Sequence, residues 1–218
     1  MLQSLRDETK KIAPQLNLAK EYKILDGLIG TLLGTRKSSI QSPIALARSQ
    51  GFPYDPKRLD LFQKLYESLA RISTPDRIAL AHTPTLSFFE SYFSNFIEGT
   101  EFQVEEAVDI IFKGKTPNNR PKDAYDILNT YQIISNLKEM ALCPKNADEL
   151  IRILKHRHAF LMQGRPELSP GTFKTLSNQA GSTLFVAPDL VEGTLRQGFQ
   201  WLLGLNSPFQ KAVYMTRW

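Results

Sequence analysis

Ser94-Asn95-Phe96-Ile97-Glu98-Gly99 closes a helical pattern set by Leu86, Phe89, Phe93, Phe96 and Ile97. Apolar residues recurring every three to four positions predict an amphipathic helix from about Pro84 to Glu98. A spacing of four puts the Ser94 hydroxyl and the Glu98 carboxylate on one face of that helix, and the glycine directly after them is a stop signal. A carboxylate fixed at a helix end is positioned to take a cation or to repel an anion. The aromatic series Phe88, Phe89, Tyr92, Phe93 and Phe96 reads as core, because large apolar side chains at helical spacing are usually buried.

Working outward, helical stripes with clear punctuation lie on both sides. Upstream, Ile24, Leu25, Leu28, Ile29, Leu32 and Leu33 form one stripe that stops at Gly34. Leu59, Phe62, Leu65, Tyr66, Leu69 and Ile72 form another, between the breaks Phe52-Pro53-Tyr54-Asp55-Pro56 and Ser73-Thr74-Pro75. Downstream, Thr100 with Gln103 reads as a capping box ahead of Val104, Ala107, Val108 and Ile111, with Gly114 as the C-cap. The linker from Lys115 to Pro121 ends that helix. A new stripe follows at Ala124, Ile127, Leu128, Tyr131, Ile134 and Leu137. Asn146 with Glu149 opens a further helix through Leu150, Ile153, Leu154, Phe160 and Leu161 to Gly164.

Between Gly164 and Pro188 the helical period is lost. Gly181-Ser182, set between Thr175 and Phe185-Val186, predicts a small β-hairpin within Thr172 to Val186. The helical period returns at Leu190, Leu195, Phe199, Leu202 and Leu203, ends at Gly204, and restarts after Pro208 with Phe209, Ala212, Val213 and Thr216. The expected fold is mainly α with one short β-hairpin, divided into a helical region over 1–83 and a second region over 84–218.

A composition of 42% hydrophobic and 22% charged residues, with no low-complexity tract, excludes a disordered chain. The net charge is +5, but the basic residues are dispersed; the densest groups are Lys113, Lys115, Arg120 and Lys122, and Arg152, Lys155 and Arg157. Without a binding motif or interleaved aromatics these read as solvated faces, and a nucleic-acid partner is not expected. The N-terminus has mixed charge and no long apolar run, and the stretch Ile24 to Leu33 is too short to span a bilayer, so no membrane partner is expected and the expected location is cytoplasmic. The single cysteine, Cys143, rules out an internal disulfide framework and has no neighbour that would activate it. His156 and His158 are two apart on a predicted helix and face different ways, and His82 beside Thr83-Pro84 reads as a turn residue, so no metal site is expected from the histidines.

Three fragments together carry a family resemblance. Ser94 to Gly99 resembles the inhibitory motif S/T-x-x-x-E-G/N of the Fic (Fido) family. Pro170-Gly171-Thr172-Phe173-Lys174 is similar to that family's P-G-x-F-R turn, with lysine in place of arginine. Gly181 to Pro188, ending Phe185-Val186-Ala187-Pro188, is similar to its flap. From about Leu86 onward the order of elements also resembles the family. The resemblance implies a helical Fic-like domain over 84–218 and protein adenylyltransferase chemistry, in which AMP passes from ATP to a hydroxyl of a target protein with Mg²⁺ present. It implies an inhibitory role for Ser94, Glu98 and Gly99. It also implies strand pairing with the target protein by a flap made of Gly181, Ser182, Thr183, Leu184, Phe185 and Val186.

The family's active loop, H-P-F-x-D/E-G-N-G-R-x-x-R, does not occur in the 218 residues, and none of the three histidines precedes Pro-Phe. The expectation is therefore the N-terminal and middle portion of such an enzyme, incomplete at its C-terminus, with no catalytic residue of its own and inactive as it stands. The alternative is a non-catalytic regulatory or protein-binding module that keeps the inhibitory helix and the flap.

Overall fold

Four helix starts are set by a polar side chain followed by proline, which has no N–H to satisfy and a φ already suited to the first turn. The computed structural model describes residues 1–36, 42–73 and 83–216; Thr74 and Pro75 of the expected break, His82 and Trp218 lie outside the described residues. The helices are α1 (Leu2–Ile12), α2 (Ala19–Leu32), α3 (Pro43–Ser49), α4 (Pro56–Ala70), α5 (Pro84–Ile97), α6 (Val104–Lys113), α7 (Pro121–Ser135), α8 (Leu137–Met140), α9 (Ala147–Leu161), α10 (Val191–Gly204) and α11 (Pro208–Met215). Ser42, Asp55, Thr83 and Ser207 cap α3, α4, α5 and α11, each accepting a hydrogen bond from the first-turn backbone, and each is followed by proline. The only sheet among the described residues is an antiparallel pair, β1 (Gln179–Ala180) and β2 (Thr183–Leu184), with Gln179 opposite Leu184 and Ala180 opposite Thr183. The protein is thus mainly α with one short hairpin, and that hairpin falls within Thr172 to Val186.

Contacts group the chain into two units, one of residues 1–72 with 175–218 and one of residues 73–174. This grouping runs differently from a sequence division at 83/84, because the C-terminal helices pack with the N-terminal ones.

In the first unit α4 packs against α10 and α11. Phe62, Leu69, Phe199, Leu202, Leu205 and Tyr214 are buried there, with the Phe62 and Tyr214 rings 5.9 Å apart. Two polar devices seal the seam. The Gln210 amide donates to the Leu69 and Ile72 carbonyls at 2.9 and 3.2 Å, while its oxygen accepts from the Asn206 and Ser207 N–H groups. Thr194 accepts from the Asp55 N–H at 2.9 Å and donates to Leu190. Gly193 lets the start of α10 lie directly against the backbone of the 52–53 turn, where a Cβ would run into the carbonyl oxygens of Phe52 and Pro53. In the same unit Asp26 on α2 bridges Arg6 of α1 at 2.6 Å and Arg36 at 2.5 Å.

In the second unit α7 packs against α5, α6, α8 and α9. Phe88, Phe102, Ala107, Ile110, Ala124 and Ile127 form one buried cluster, flanked by Tyr92, Val108, Ile111, Leu128 and Tyr131. The start of α6 corrects one sequence reading. Its N-cap is Gln103, whose N–H donates to Glu106 at 3.0 Å, rather than Thr100, whose N–H instead completes the turn after α5 by donating to Asn95. Phe102, just before the cap, is buried with Ala107 one turn on, a hydrophobic staple that fixes where the helix begins.

A second correction concerns α5. Of the five aromatics read as core, Phe88 is buried and Tyr92 half-buried, but Phe89, Phe93 and Phe96 are 40, 55 and 44% exposed. The buried face is instead Ser87, Ser91 and Asn95, at 0, 0 and 8% exposure. These short side chains let α5 lie close along α7. Two of the three side chains donate within α5: Ser91 to Ser87 O at 2.7 Å and Asn95 to Ser91 O at 2.9 Å.

Gly193→Ala should destabilise the protein by about 3 kcal/mol or more, since rigid backbone oxygens cannot yield as a side chain would; urea unfolding against wild type measures it. Gln210→Leu should cost about 2–3 kcal/mol, because four backbone groups lose their partner at a buried seam. Acid should also weaken the fold. The carboxyl of Asp26 is held below its ordinary value by the hydrogen bond from Arg6, that of Asp109 by Lys113 and Lys115, and that of Glu167 by Lys122. Depressed carboxylates stabilise the fold above their unfolded values of about 4 and lose that contribution as the pH falls through the folded ones. Melting temperatures should therefore drop below about pH 4, and Asp26→Asn should flatten part of that decline.

Candidate functional site

Because α5 turns its small face to α7, its C-terminal end opens onto a cleft of about 510 Å³ in the second unit. Ser94, Asn95, Glu98 and Thr100 line one side. Asp126 and Thr130 of α7, then Leu161, Met162, Arg165 and Leu168 from the end of α9 and the 3₁₀ turns after it, line the rest. The two residues singled out at spacing four thus share one concavity. Glu98 is the C-cap of α5, its N–H bonded to Ser94 O at 3.3 Å, and the chain reverses at Gly99 with φ +89°, where a side chain would be strained. The Ser94 and Glu98 side chains are both exposed. Among the described residues neither the Ser94 hydroxyl nor the Glu98 carboxylate has a hydrogen-bond or ion-pair partner, so the two do not bond each other.

The cation in the cleft is Arg165, a residue the sequence did not mark. Its Nη2 lies 2.6 Å from Asp126 Oδ2 and 2.7 Å from Asp123 Oδ1, and its Nε donates to Asp126 Oδ2 at 3.0 Å. Asp123 in turn accepts from Arg120 at 2.8 Å, and the Arg120 guanidinium lies over the Phe102 ring at 4.2 Å. The hydrogen bond that Arg165 donates to Asp126, with Asp123 adding, raises the guanidinium above its already high ordinary value. Arg165 and Arg120 together balance Asp123 and Asp126, so the charge left over in the cleft is that of Glu98. The sequence signal available was the spacing of Asp123 and Asp126 on one helix face, but nothing in the sequence pairs them with an arginine about 40 residues on.

The Pro170-Gly171-Thr172-Phe173-Lys174 turn is anchored on α9. The Gly171 N–H donates to His158 Nδ1 at 2.9 Å, and Lys155 Nζ lies 4.7 Å from the centre of the Phe173 ring. His158 is therefore half-buried in a structural bond, while His156 and Cys143 are exposed. Of the residues expected to form the flap, Thr183 and Leu184 are the second strand of the hairpin, whose first strand is Gln179–Ala180, while Phe185 and Val186 follow it; all lie in the other unit. Gly181 and Ser182 are the hairpin's two-residue loop, Gln179 pairs with Leu184, and the Phe185 N–H donates to Asn178 O at 3.2 Å. Leu184 and Phe185 are exposed.

Among the described residues there is no group of three or more His, Cys, Asp and Glu side chains that could hold a metal ion. The cleft's own carboxylates do not make a magnesium site either, since Asp126 is engaged by Arg165 and leaves Glu98 alone. No helix of the described residues is long and apolar enough to cross a membrane. Comparison of the chain with protein-family models, with curated proteins and with solved structures found no match in any of the three.

Arg165→Met should strand Asp123 and Asp126 together and cost about 1–2 kcal/mol, a modest value because the group is partly solvated. Arg165→Lys should recover only part of this, since an ammonium cannot form the fork. Thermal melts of both variants, with Asp126→Asn closing a double-mutant cycle, measure the coupling.

Proposed function

We propose that this chain carries the regulatory and target-aligning portion of a Fic-type protein adenylyltransferase, with Glu98 as the carboxylate that guards the nucleotide site. The observation that carries the reading is the position of Glu98. It is an unengaged carboxylate at the end of a helix, one turn from Ser94, lining a cleft large enough for a nucleotide. The anchored Pro170 to Lys174 turn and the exposed two-stranded hairpin support it as the family's turn and flap.

In adenylyl transfer the target hydroxyl attacks the α-phosphorus of ATP, a new O–P bond forms, the bond to the β-phosphate breaks and pyrophosphate leaves, while the hydroxyl proton passes to a general base. In the family that base, the phosphate-binding amides and the metal-binding acid come from the H-P-F loop, which these 218 residues do not contain. What this chain's residues contribute is charge and orientation. A negative Glu98 beside a neutralised Arg165 disfavours a polyphosphate resting in the cleft. When an active loop is present, Glu98 takes the arginine that would otherwise clamp the γ-phosphate, and ATP lies in a pose unsuited to in-line attack. The hairpin aligns a segment of the target protein through backbone strand pairing.

The coding sequence beyond codon 218 discriminates this reading from a non-catalytic regulatory or protein-binding module. An in-frame H-P-F-x-D/E-G-N-G-R supports the enzyme, and a stop codon without a frameshifted remnant supports the module. The 218-residue chain alone should transfer no AMP from labelled ATP. In the protein that includes the loop, Glu98→Gly should raise auto-adenylylation at least about tenfold, the effect of removing a bias of roughly 1.4 kcal/mol. Ser94→Ala should give a smaller gain. Unchanged activity in Glu98→Gly, alongside loss of activity when the loop histidine is replaced, would reduce Glu98 to a solvated helix-end carboxylate.

A further inference from the structure

The informative surface feature of a protein is a contiguous exposed apolar patch, and α5 presents one. Phe89, Phe93, Phe96 and Ile97 recur at helical spacing along its outer side, and Ile97 is 81% exposed. The rings form a continuous series. Phe89 lies 6.0 Å from Phe93, Tyr92 lies 5.4 Å from Phe93 and 6.1 Å from Phe96, and the buried Phe88 joins Phe89 at 5.2 Å to Phe112 of α6 at 5.8 Å. Phe112 is itself 51% exposed. Mutual stacking fixes these side chains before anything binds, which lowers the entropy lost on docking. Their exposed fractions leave on the order of 500 Å² of apolar surface.

The charge around the patch selects the occupant. The helices that carry the patch are acidic: α5 and α6 hold Glu90, Glu105, Glu106 and Asp109 against Lys113 and, just past α6, Lys115, in a chain whose net charge is +5. Both lysines, Lys113 and Lys115, are paired with Asp109 at 2.5 and 2.7 Å. Glu90, on α5 one turn before Phe93, has no basic residue on its own helix to offset it. A second copy would set these acidic helices against each other, and about 500 Å² falls short of the roughly 800 Å² per subunit of a standard stable interface. An anionic lipid surface is disfavoured by the same charge. A single helix with an apolar stripe and Lys or Arg along its flanks matches both the width of the patch and its sign.

We propose that the Phe89, Phe93, Phe96 and Ile97 face of α5, extended by Phe112, docks a basic amphipathic helix of a partner protein. With an area below that of a standard stable interface, the contact is a transient one. It is independent of the nucleotide reading, since it uses the outer side of α5 and requires no property of Ser94 or of the cleft.

The test is fluorescence anisotropy with the 218-residue chain and a labelled synthetic helix of about 14 residues, leucine at i, i+3, i+4 and i+7 and lysine elsewhere, in about 0.1 M salt. A counterpart with glutamate for lysine, the double variant Phe93→Ser/Ile97→Ser and the single variant Glu90→Lys complete the set, with circular dichroism checking each fold and light scattering the mass. The expected result is saturable one-to-one binding of the lysine helix and at least about tenfold weaker binding of the glutamate helix. The double variant should lose about tenfold, and Glu90→Lys about threefold. Equal binding of the two helices, or binding unaffected by the double variant, overturns the proposal. So does a dimer that the double variant dissociates, which would assign the face to a second copy.

Discussion

The close contact of α5 with α7 through Ser87, Ser91 and Asn95 determines the rest of the second unit. A helix face made of short side chains brings two backbones nearer than leucine or phenylalanine would allow, and the gain is dispersion over many atoms. Buried hydroxyl and amide groups would cost about 1–3 kcal/mol each if left unpaired. Here the Ser91 and Asn95 side chains bond the preceding turn of their own helix, so the seam needs nothing from α7 to satisfy them. Once that face is inward, Phe89, Phe93 and Phe96 must face out, and Ser94 and Glu98 stand at the edge where the cleft opens.

The same constraint explains what the sequence could and could not tell. Helix positions were legible because proline, glycine and capping side chains act locally: Pro84, Pro121, Pro208 and Gly114 each mark an observed helix end. The hairpin was legible from Gly181-Ser182 for the same reason. The orientation of α5 was not. Period alone identifies two opposed stripes on that helix, one aromatic and one of Ser87, Ser91 and Asn95, and hydrophobicity favours burying the first. Which stripe is buried depends on the shape of α7, a tertiary fact. The misplaced capping box at Thr100 has a similar origin, since it is the burial of Phe102 that moves the helix start to Val104. Arg165 escaped notice because its partners, Asp123 and Asp126, are distant in sequence.

In electrostatic terms the cleft lining is one cation cancelled by one carboxylate, Arg165 by Asp126, with the carboxylate of Glu98 left over. Such a site does not attract polyphosphate unaided, and a resting guard in the proposed adenylyltransferase requires no more than that. Arg165 matters to this balance by being occupied: an Asp126 released from it would add a second negative charge to the lining, and an Arg165 released from Asp126 would oppose Glu98.

The two contact units are not consecutive along the chain, because residues 73–174 interrupt the segments that make up the other. This has a temporal consequence for a polypeptide made from one end. Every helix of the interrupting unit is available once Lys174 has emerged, so its core can close from neighbouring segments. The partners of α4, by contrast, are α10 and α11, and Gln210, which bonds the Leu69 carbonyl, is 141 residues away from it. Until those late helices are synthesised, Phe62 and Leu69 have no lid, and the nascent α4 presents its apolar stripe to whatever is nearby. The early part of this protein is thus the last to be finished, and it is the part with most to gain from a chaperone at the ribosome exit.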